Sequence, residues 1–207
     1  MPTADPSSAK AGLIVSLVGF VLGVLTAYAQ FWLPEEVGSL ANSAGTWSLA
    51  AFLLALLARN QRSAAVFGVI ALVALLVGYV AGAAMRDLST SRPLIAFWGL
   101  VAIAVGPFLG LGAHWLKTEK AVYGALGAGG ISGLLVGEGI YGLVEIADST
   151  YPPYWVVEIL VGLSLLIWAS ARRIRRAELV ALAVTVTAVT AAAFVLVFRL
   201  NLIAFFP

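Results

Sequence analysis

The sequence predicts an all-α integral membrane protein, built as a bundle of about seven transmembrane helices. Of its 207 residues, 62% are hydrophobic and 11% are charged, whereas a soluble domain carries about 25% charged residues. Apolar stretches of about 20 residues, long enough to cross a bilayer, recur along the whole chain. The lysines and arginines between these stretches are concentrated in alternate loops, as in proteins whose loops lie on two sides of a membrane.

Short polar segments divide the chain into seven candidate spans. They are Ala11 to Trp32, Thr46 to Ala58, Ser63 to Met85, Leu94 to Leu116, Ala121 to Ile146, Pro153 to Ser170 and Glu178 to about Phe198. Residues 1–10 predict a disordered leader, and residues 11–207 a single transmembrane domain. The first run also resembles a signal peptide ending at Ala27-Tyr28-Ala29, but it continues through Trp32 as an uncleaved span does. The second span is short, so it either begins nearer Gly38 or forms a re-entrant half-helix.

Loop charges predict the orientation. With the N-terminus in the cytoplasm, nine basic residues lie on that side and three, Arg86, Arg92 and Arg199, on the other. The nine are Lys10, Arg59, Arg62, Lys117, Lys120, Arg172, Arg173, Arg175 and Arg176. The C-terminus is then external, and the chain is a multi-pass protein of the plasma membrane. We interpret the basic run "ARRIRR" as an anchor that contacts anionic lipid headgroups. The alternative is that it docks a soluble partner.

The sequence lacks the residues and motifs of several common metal sites and catalytic sites. There is no cysteine, and the single histidine, His114, cannot build a multi-histidine metal cage. The chain has no Walker, G-x-S-x-G or H-E-x-x-H motif, so we predict no cofactor and no metal. The net charge of +2 gives no case for a nucleic-acid partner.

The carboxylates inside the apolar spans are the strongest functional signal. Glu138 lies 17 residues into the fifth span, roughly 26 Å from its cytoplasmic end. It shares a helix face with Tyr141 and Glu145, at i, i+3 and i+7. Glu158, in the next span, lies close enough to the interface to be wet, as does Glu145. An acid as deep as Glu138 is either a ligand or proton site or a structural partner of Arg199 or Arg86.

Other polar and aromatic residues fall at the same external level. Together they predict an aromatic-lined acidic vestibule, with candidate binding residues Gln30, Asn42, Trp47, Tyr79, Glu138, Tyr141, Glu145 and Glu158. For the tryptophans and tyrosines, an ordinary interfacial belt is the simpler interpretation.

Small residues mark helix packing in the fifth span. Gly129, Gly133 and Gly137 repeat every fourth residue, a spacing that lets a neighbouring helix approach closely. We expect this neighbour to belong to the same chain, although another subunit could also supply it.

Three stretches, "QFWLPEEVGSLANSAGTWSLAAF", "VGPFLGLGAHWLK" and "GLLVGEGIYGLVEI", resemble blocks of an actinobacterial multi-pass membrane family known only as a domain of unknown function. The resemblance covers the chain to about residue 160 and implies one compact domain, but no activity. Its family-like positions are Gln30, Asn42, Trp47, His114, Glu138 and Tyr141.

Three classes of function fit these features. The first binds or translocates a small polar or cationic solute. It resembles the substrate-binding membrane subunits of energy-coupling-factor importers, whose partner is an ATPase complex, although those subunits usually have six helices. The second is an intramembrane enzyme that resembles terpene cyclases and protonates a prenyl or lipid substrate. The third is a non-catalytic accessory or assembly factor. The first is our prediction, with the lipid bilayer and a small-molecule ligand as partners and another membrane subunit as a further candidate.

Overall fold

The structure is a computed structural model and describes residues 6–118 and 120–200. All regular elements within these ranges are helical. The α-helices are α1 (Pro6–Trp32), α2 (Glu35–Gly38), α3 (Ala44–Ala55), α4 (Gln61–Ala84), α5 (Arg92–Lys117), α6 (Ala121–Glu145), α7 (Pro152–Ala169) and α8 (Ala177–Arg199). Six of them, α1 and α4 to α8, are long and apolar enough to cross a membrane.

The second predicted span is a short helix. Helix α3 has 12 residues, about 18 Å of rise, which is less than the hydrocarbon core of a bilayer. Tight i to i−3 hydrogen bonds from the amides of Leu56, Leu57 and Ala58 follow its C-terminal end. The second span does not begin as one longer helix near Gly38. The chain there forms the short helix α2 and a 3₁₀ turn at Ser39–Ala41.

The helix contacts divide the chain into two compact units. Of the described residues, the first comprises 6–31 and 47–114, so it contains α4 and most of α1, α3 and α5. Its helices approach closely at glycines. A Cβ at Gly23 would meet the backbone of Leu75, and one at Gly68 would meet the backbone of Gly106. Helix α5 continues through Pro107.

Of the described residues, the second unit comprises 32–46, 115–118 and 120–200, with α6 packed against α7 and α8. Gly129, Gly133 and Gly137 lie against α8 of the same chain, where a Cβ at Gly133 would be 2.5 Å from the Thr187 carbonyl oxygen. Gly139 and Gly142 approach α7, and a Cβ at Gly142 would meet the Trp155 ring. Helix α6 is therefore the helix that both neighbours contact.

The six long helices match their predicted spans to within a few residues, except at the N-terminus of α1. This helix begins at Pro6, inside the segment predicted as a leader, and residues 1–5 of that segment lie outside the described part of the chain. The basic run at 171–176 includes a π-helical turn, Ser170–Ile174, that ends at Arg175 with a left-handed φ of 53°.

Candidate functional site

The first turn of α3 has to find hydrogen-bond acceptors in an apolar environment. The first N–H groups of any helix lack partners within that helix, and an unsatisfied amide in hydrocarbon costs several kcal/mol. Ser43 caps this end, because its Oγ accepts the Thr46 N–H at 2.9 Å. The next two amides reach another helix: the Ala44 N–H donates to Glu138 Oε1 at 2.8 Å, and the Gly45 N–H donates to Glu138 Oε2.

Glu138 of α6 therefore holds the start of α3. Each of its carboxyl oxygens accepts a backbone amide, and the positive end of the α3 dipole lies beside it. Only 6% of Glu138 is exposed. A carboxylate in this position satisfies orphan amides, and the helix end in turn compensates its negative charge.

A second acid, Glu158 of α7, enters the same site. The Ser43 hydroxyl lies 3.0 Å from Glu138 Oε2 and 3.1 Å from Glu158 Oε1, so one hydroxyl connects both carboxyl groups. Glu158, expected near the wet interface, is only 6% exposed, and Ser43 is 1% exposed. We refer to Ser43, Glu138 and Glu158 below as the carboxyl pair site.

One oxygen of this site has no partner. Glu158 Oε2 is buried, and no donor of any described residue forms a hydrogen bond to it. No lysine or arginine within residues 6–118 and 120–200 forms a salt bridge with Glu158 either. A buried polar atom without a partner is costly and calls for an explanation, of which a bound ligand is one.

Two more residues border the carboxyl pair site. Tyr154, one turn before Glu158 on α7, places its hydroxyl 3.1 Å from Thr46 Oγ1. Gly45 leaves no room for a side chain, because an added Cβ would meet both Glu138 Oε2 and Glu158 Oε1. The absent side chain is what allows the two acids to approach the backbone of α3.

The structure does not bring the residues predicted for the vestibule together at one site. Gln30, Trp47 and Tyr79 belong to the first unit, where the Tyr79 hydroxyl is 3.4 Å from Gln30 Oε1 and the Trp47 and Tyr79 rings meet edge to face. In the second unit, Asn42 is exposed and ends the 3₁₀ turn before α3. Of the eight candidates, only Glu138 and Glu158 come together at the carboxyl pair site.

Tyr141 and Glu145 contact α8. The Tyr141 ring lies 5.4 Å from that of Phe198, and Glu145 forms a salt bridge with Arg199 at 2.6 Å. Arg86 donates to the Ala27 carbonyl oxygen at 2.7 Å and lies over the Phe31 ring. Both arginines considered as partners of Glu138 thus have other contacts, while Glu138 binds the α3 amides.

Ser43 and Gly45 are the site residues that sequence reasoning missed. The available signal was local: a serine directly before an apolar helical run is a typical N-cap, as in "SAGTW". Nothing in that signal shows that the Ala44 and Gly45 amides need an acceptor 94 and 93 residues away in sequence.

No curated protein and no solved structure is significantly similar to this chain. One family model matches residues 2–203, which is nearly the whole sequence. The helical, membrane-type architecture and the carboxyl pair site are therefore features of a protein that belongs to the family of unknown function DUF6518.

Proposed function

We propose that this protein binds a small organic cation of the ammonium type at the carboxyl pair site. The observation that carries the proposal is the buried Glu158 Oε2, which has no partner among the described residues. An ammonium N–H is a strong donor to a carboxylate oxygen, so such a ligand would satisfy this atom. Of the three functions considered from the sequence, solute binding is the one that this geometry supports best.

Charge at the site supports a cationic ligand. The start of α3 compensates one carboxylate, that of Glu138, through two amides and the helix dipole. The second carboxyl group has no such compensation when it is ionised, and an uncompensated charge in hydrocarbon is expensive. One positive charge beside Glu158 therefore suits the site, and a neutral or anionic solute does not.

The donor set favours an ammonium group over a divalent metal. No cluster of three or more His, Cys, Asp or Glu side chains suitable for a metal occurs in the described part of the chain. Calcium takes 6 to 8 oxygen ligands, and magnesium six in a regular octahedron. Both ions usually complete this number with water, whereas Glu138 and Glu158 are each only 6% exposed, so an ammonium group, which needs only a few acceptors, suits the site better.

The access side follows from the topology that we propose. We propose that residues 35–58, with α3 at their centre, cross the membrane together. This gives seven crossings, with the N-terminus in the cytoplasm and the C-terminus outside. The distribution of basic residues, nine against three, supports this orientation in the plasma membrane. Glu138 then lies in the outer third of the bilayer, so we propose that the ligand enters from the external side.

Methylammonium chloride is the probe that tests the proposal. A ligand that binds only the folded protein adds about 2.7 kcal/mol of stability at 100 times its Kd. We expect methylammonium to raise the Tm of the purified full-length protein, and to give a saturable heat in isothermal titration calorimetry. Glu158→Gln should abolish both effects, because the amide removes the negative charge but keeps the shape of the side chain.

The matched control is Glu178→Gln, which removes one exposed carboxylate at the start of α8. This variant should keep the response to methylammonium. Sodium chloride at equal ionic strength controls for screening. A Tm rise of the same size with sodium chloride, or an undiminished response in Glu158→Gln, would contradict the proposal.

A further inference from the structure

The hydroxyl of Ser43 decides where a proton lies in the carboxyl pair site. A serine hydroxyl has one proton to donate and two lone pairs that accept. It already accepts the Thr46 N–H and lies within hydrogen-bond distance of two carboxyl oxygens. Because it can donate to only one of them, the other contact brings two acceptors together unless that carboxyl group carries a proton.

The backbone amides indicate which acid is protonated. Both oxygens of Glu138 accept an N–H from α3, so the ionised form suits that carboxyl group. Ser43 then donates to Glu138 Oε2 and accepts from Glu158 Oε1–H. With this assignment every hydrogen bond of Ser43 has one donor and one acceptor, and Glu158 Oε2 is the carbonyl oxygen of a carboxylic acid.

We propose that Glu158 carries a proton on Oε1 in the resting protein, and that an ammonium ligand exchanges for this proton one for one. The inference rests on the proposed function and adds the regulation of the same site. The observation that points to a ligand is Oε2 of Glu158, a residue only 6% exposed, because this oxygen lacks a donor and would receive the ligand N–H once the proton has left.

The exchange is balanced in atoms and charge. The O–H bond of the Glu158 carboxylic acid breaks, its proton goes to the external water, and the ammonium cation pairs with the carboxylate that remains. One positive charge leaves and one arrives, so the net charge of the buried site stays the same. This constancy avoids the cost of a charge without compensation in the membrane.

Few other titratable groups face Glu158. On α6 the group is Glu138, and on α7 it is Tyr154, whose hydroxyl contacts Thr46 Oγ1. Helix α2, which also contacts α7, carries the exposed Glu35 and Glu36, and the turn Ser170–Ile174 carries the exposed Arg172 and Arg173 at the opposite end of α7. The Ser43–Thr46 segment contributes no titratable side chain, and Glu145 pairs with Arg199. Glu158 is therefore the group whose proton the ligand displaces.

The sign of the pH dependence follows from this exchange. Ligand binding releases a proton, so raising the pH favours the bound state. The association constant of methylammonium should rise about tenfold per pH unit while Glu158 is protonated, which corresponds to one proton released per ligand. A site without exchange would show no such slope.

Two measurements on the full-length protein in lipid nanodiscs test the exchange. Titration calorimetry with methylammonium in phosphate and in MOPS, which differ in ionisation enthalpy and are not small cations, counts the protons released. Infrared difference spectroscopy reports the carbonyl stretch of a protonated carboxylic acid. We expect one proton per ligand, and an acid band that methylammonium removes from the wild type and from Glu178→Gln. Glu158→Gln should lack this band, and it should fold because its amide N–H can donate to Ser43 as the acid does.

The failures of the two proposals are distinguishable. Methylammonium binding without proton release and without a pH slope would overturn the exchange and leave the proposed function standing. Absence of methylammonium binding at every pH would overturn the proposed function and the exchange with it. An acid band that persists in Glu158→Gln would overturn the assignment of the proton, whatever the binding result.

Discussion

Gly45 shows how much of this site depends on one missing side chain. Its amide donates to Glu138, and a Cβ at this position would meet an oxygen of each acid and lie 3.1 Å from Leu135 Cδ2. The carboxyl groups are the ends of flexible side chains, and such ends can often move to make room for an added Cβ. They are fixed, however, by the Ala44 and Gly45 amides and by Ser43, so any movement breaks hydrogen bonds in a buried site.

We therefore expect Gly45→Ala to lower the free energy of unfolding by about 1–3 kcal/mol, the usual range for overpacking. The measurement is equilibrium unfolding in mixed micelles, followed by tryptophan fluorescence. Gly38→Ala is the matched control, because a Cβ there has nothing within 4 Å. Equal stability of the two variants would show that the acids are not held close to the backbone of α3.

At the scale of the element, α3 marks the limit of what the sequence could predict. Hydropathy located the six long helices, because a lipid-exposed segment must satisfy its own amides and so forms an apolar helix about as long as the bilayer is thick. The start of α3 follows a different rule, since its amides are satisfied by Glu138 on another helix. Such long-range pairing leaves no periodic pattern in the sequence. The depth of Glu138 predicted a special residue, but not this partner.

Helix α6 gives an element-scale prediction. Gly133→Ala should destabilise the protein by about 1–3 kcal/mol, because its Cβ would lie 2.5 Å from the Thr187 carbonyl oxygen and 2.6 Å from Thr190 Cβ, which forces α8 away. Gly130→Ala, on the same helix, meets nothing within 4 Å and should be neutral or stabilising by up to about 1 kcal/mol. Unfolding free energies of the pair provide the test. Similar values for the two variants would refute close packing of α6 on α8.

The orientation of the whole molecule in the membrane can be tested by introducing single cysteines. The natural chain has no cysteine, so a thiol reagent labels only the introduced one. We expect Val37→Cys, an exposed position in α2, to react with a membrane-impermeant maleimide in intact cells. Ala171→Cys, an exposed position beside the basic run, should react only after permeabilisation. Both substitutions leave every orienting charge in place. Labelling of Ala171→Cys in intact cells would refute the proposed orientation.

The capping of α3 by later helices also has a consequence for biogenesis. Glu138 and Glu158 follow Ser43 by 95 and 115 residues, and ribosomes add about 5–20 residues per second. The Ala44 and Gly45 amides are therefore made about 5–20 s before Glu138, which accepts them. During this interval α3 is too short to be a stable span and too polar at its start to rest in lipid. A nascent chain that stops before Glu138 should leave α3 uninserted, because its first amides then lack their acceptor.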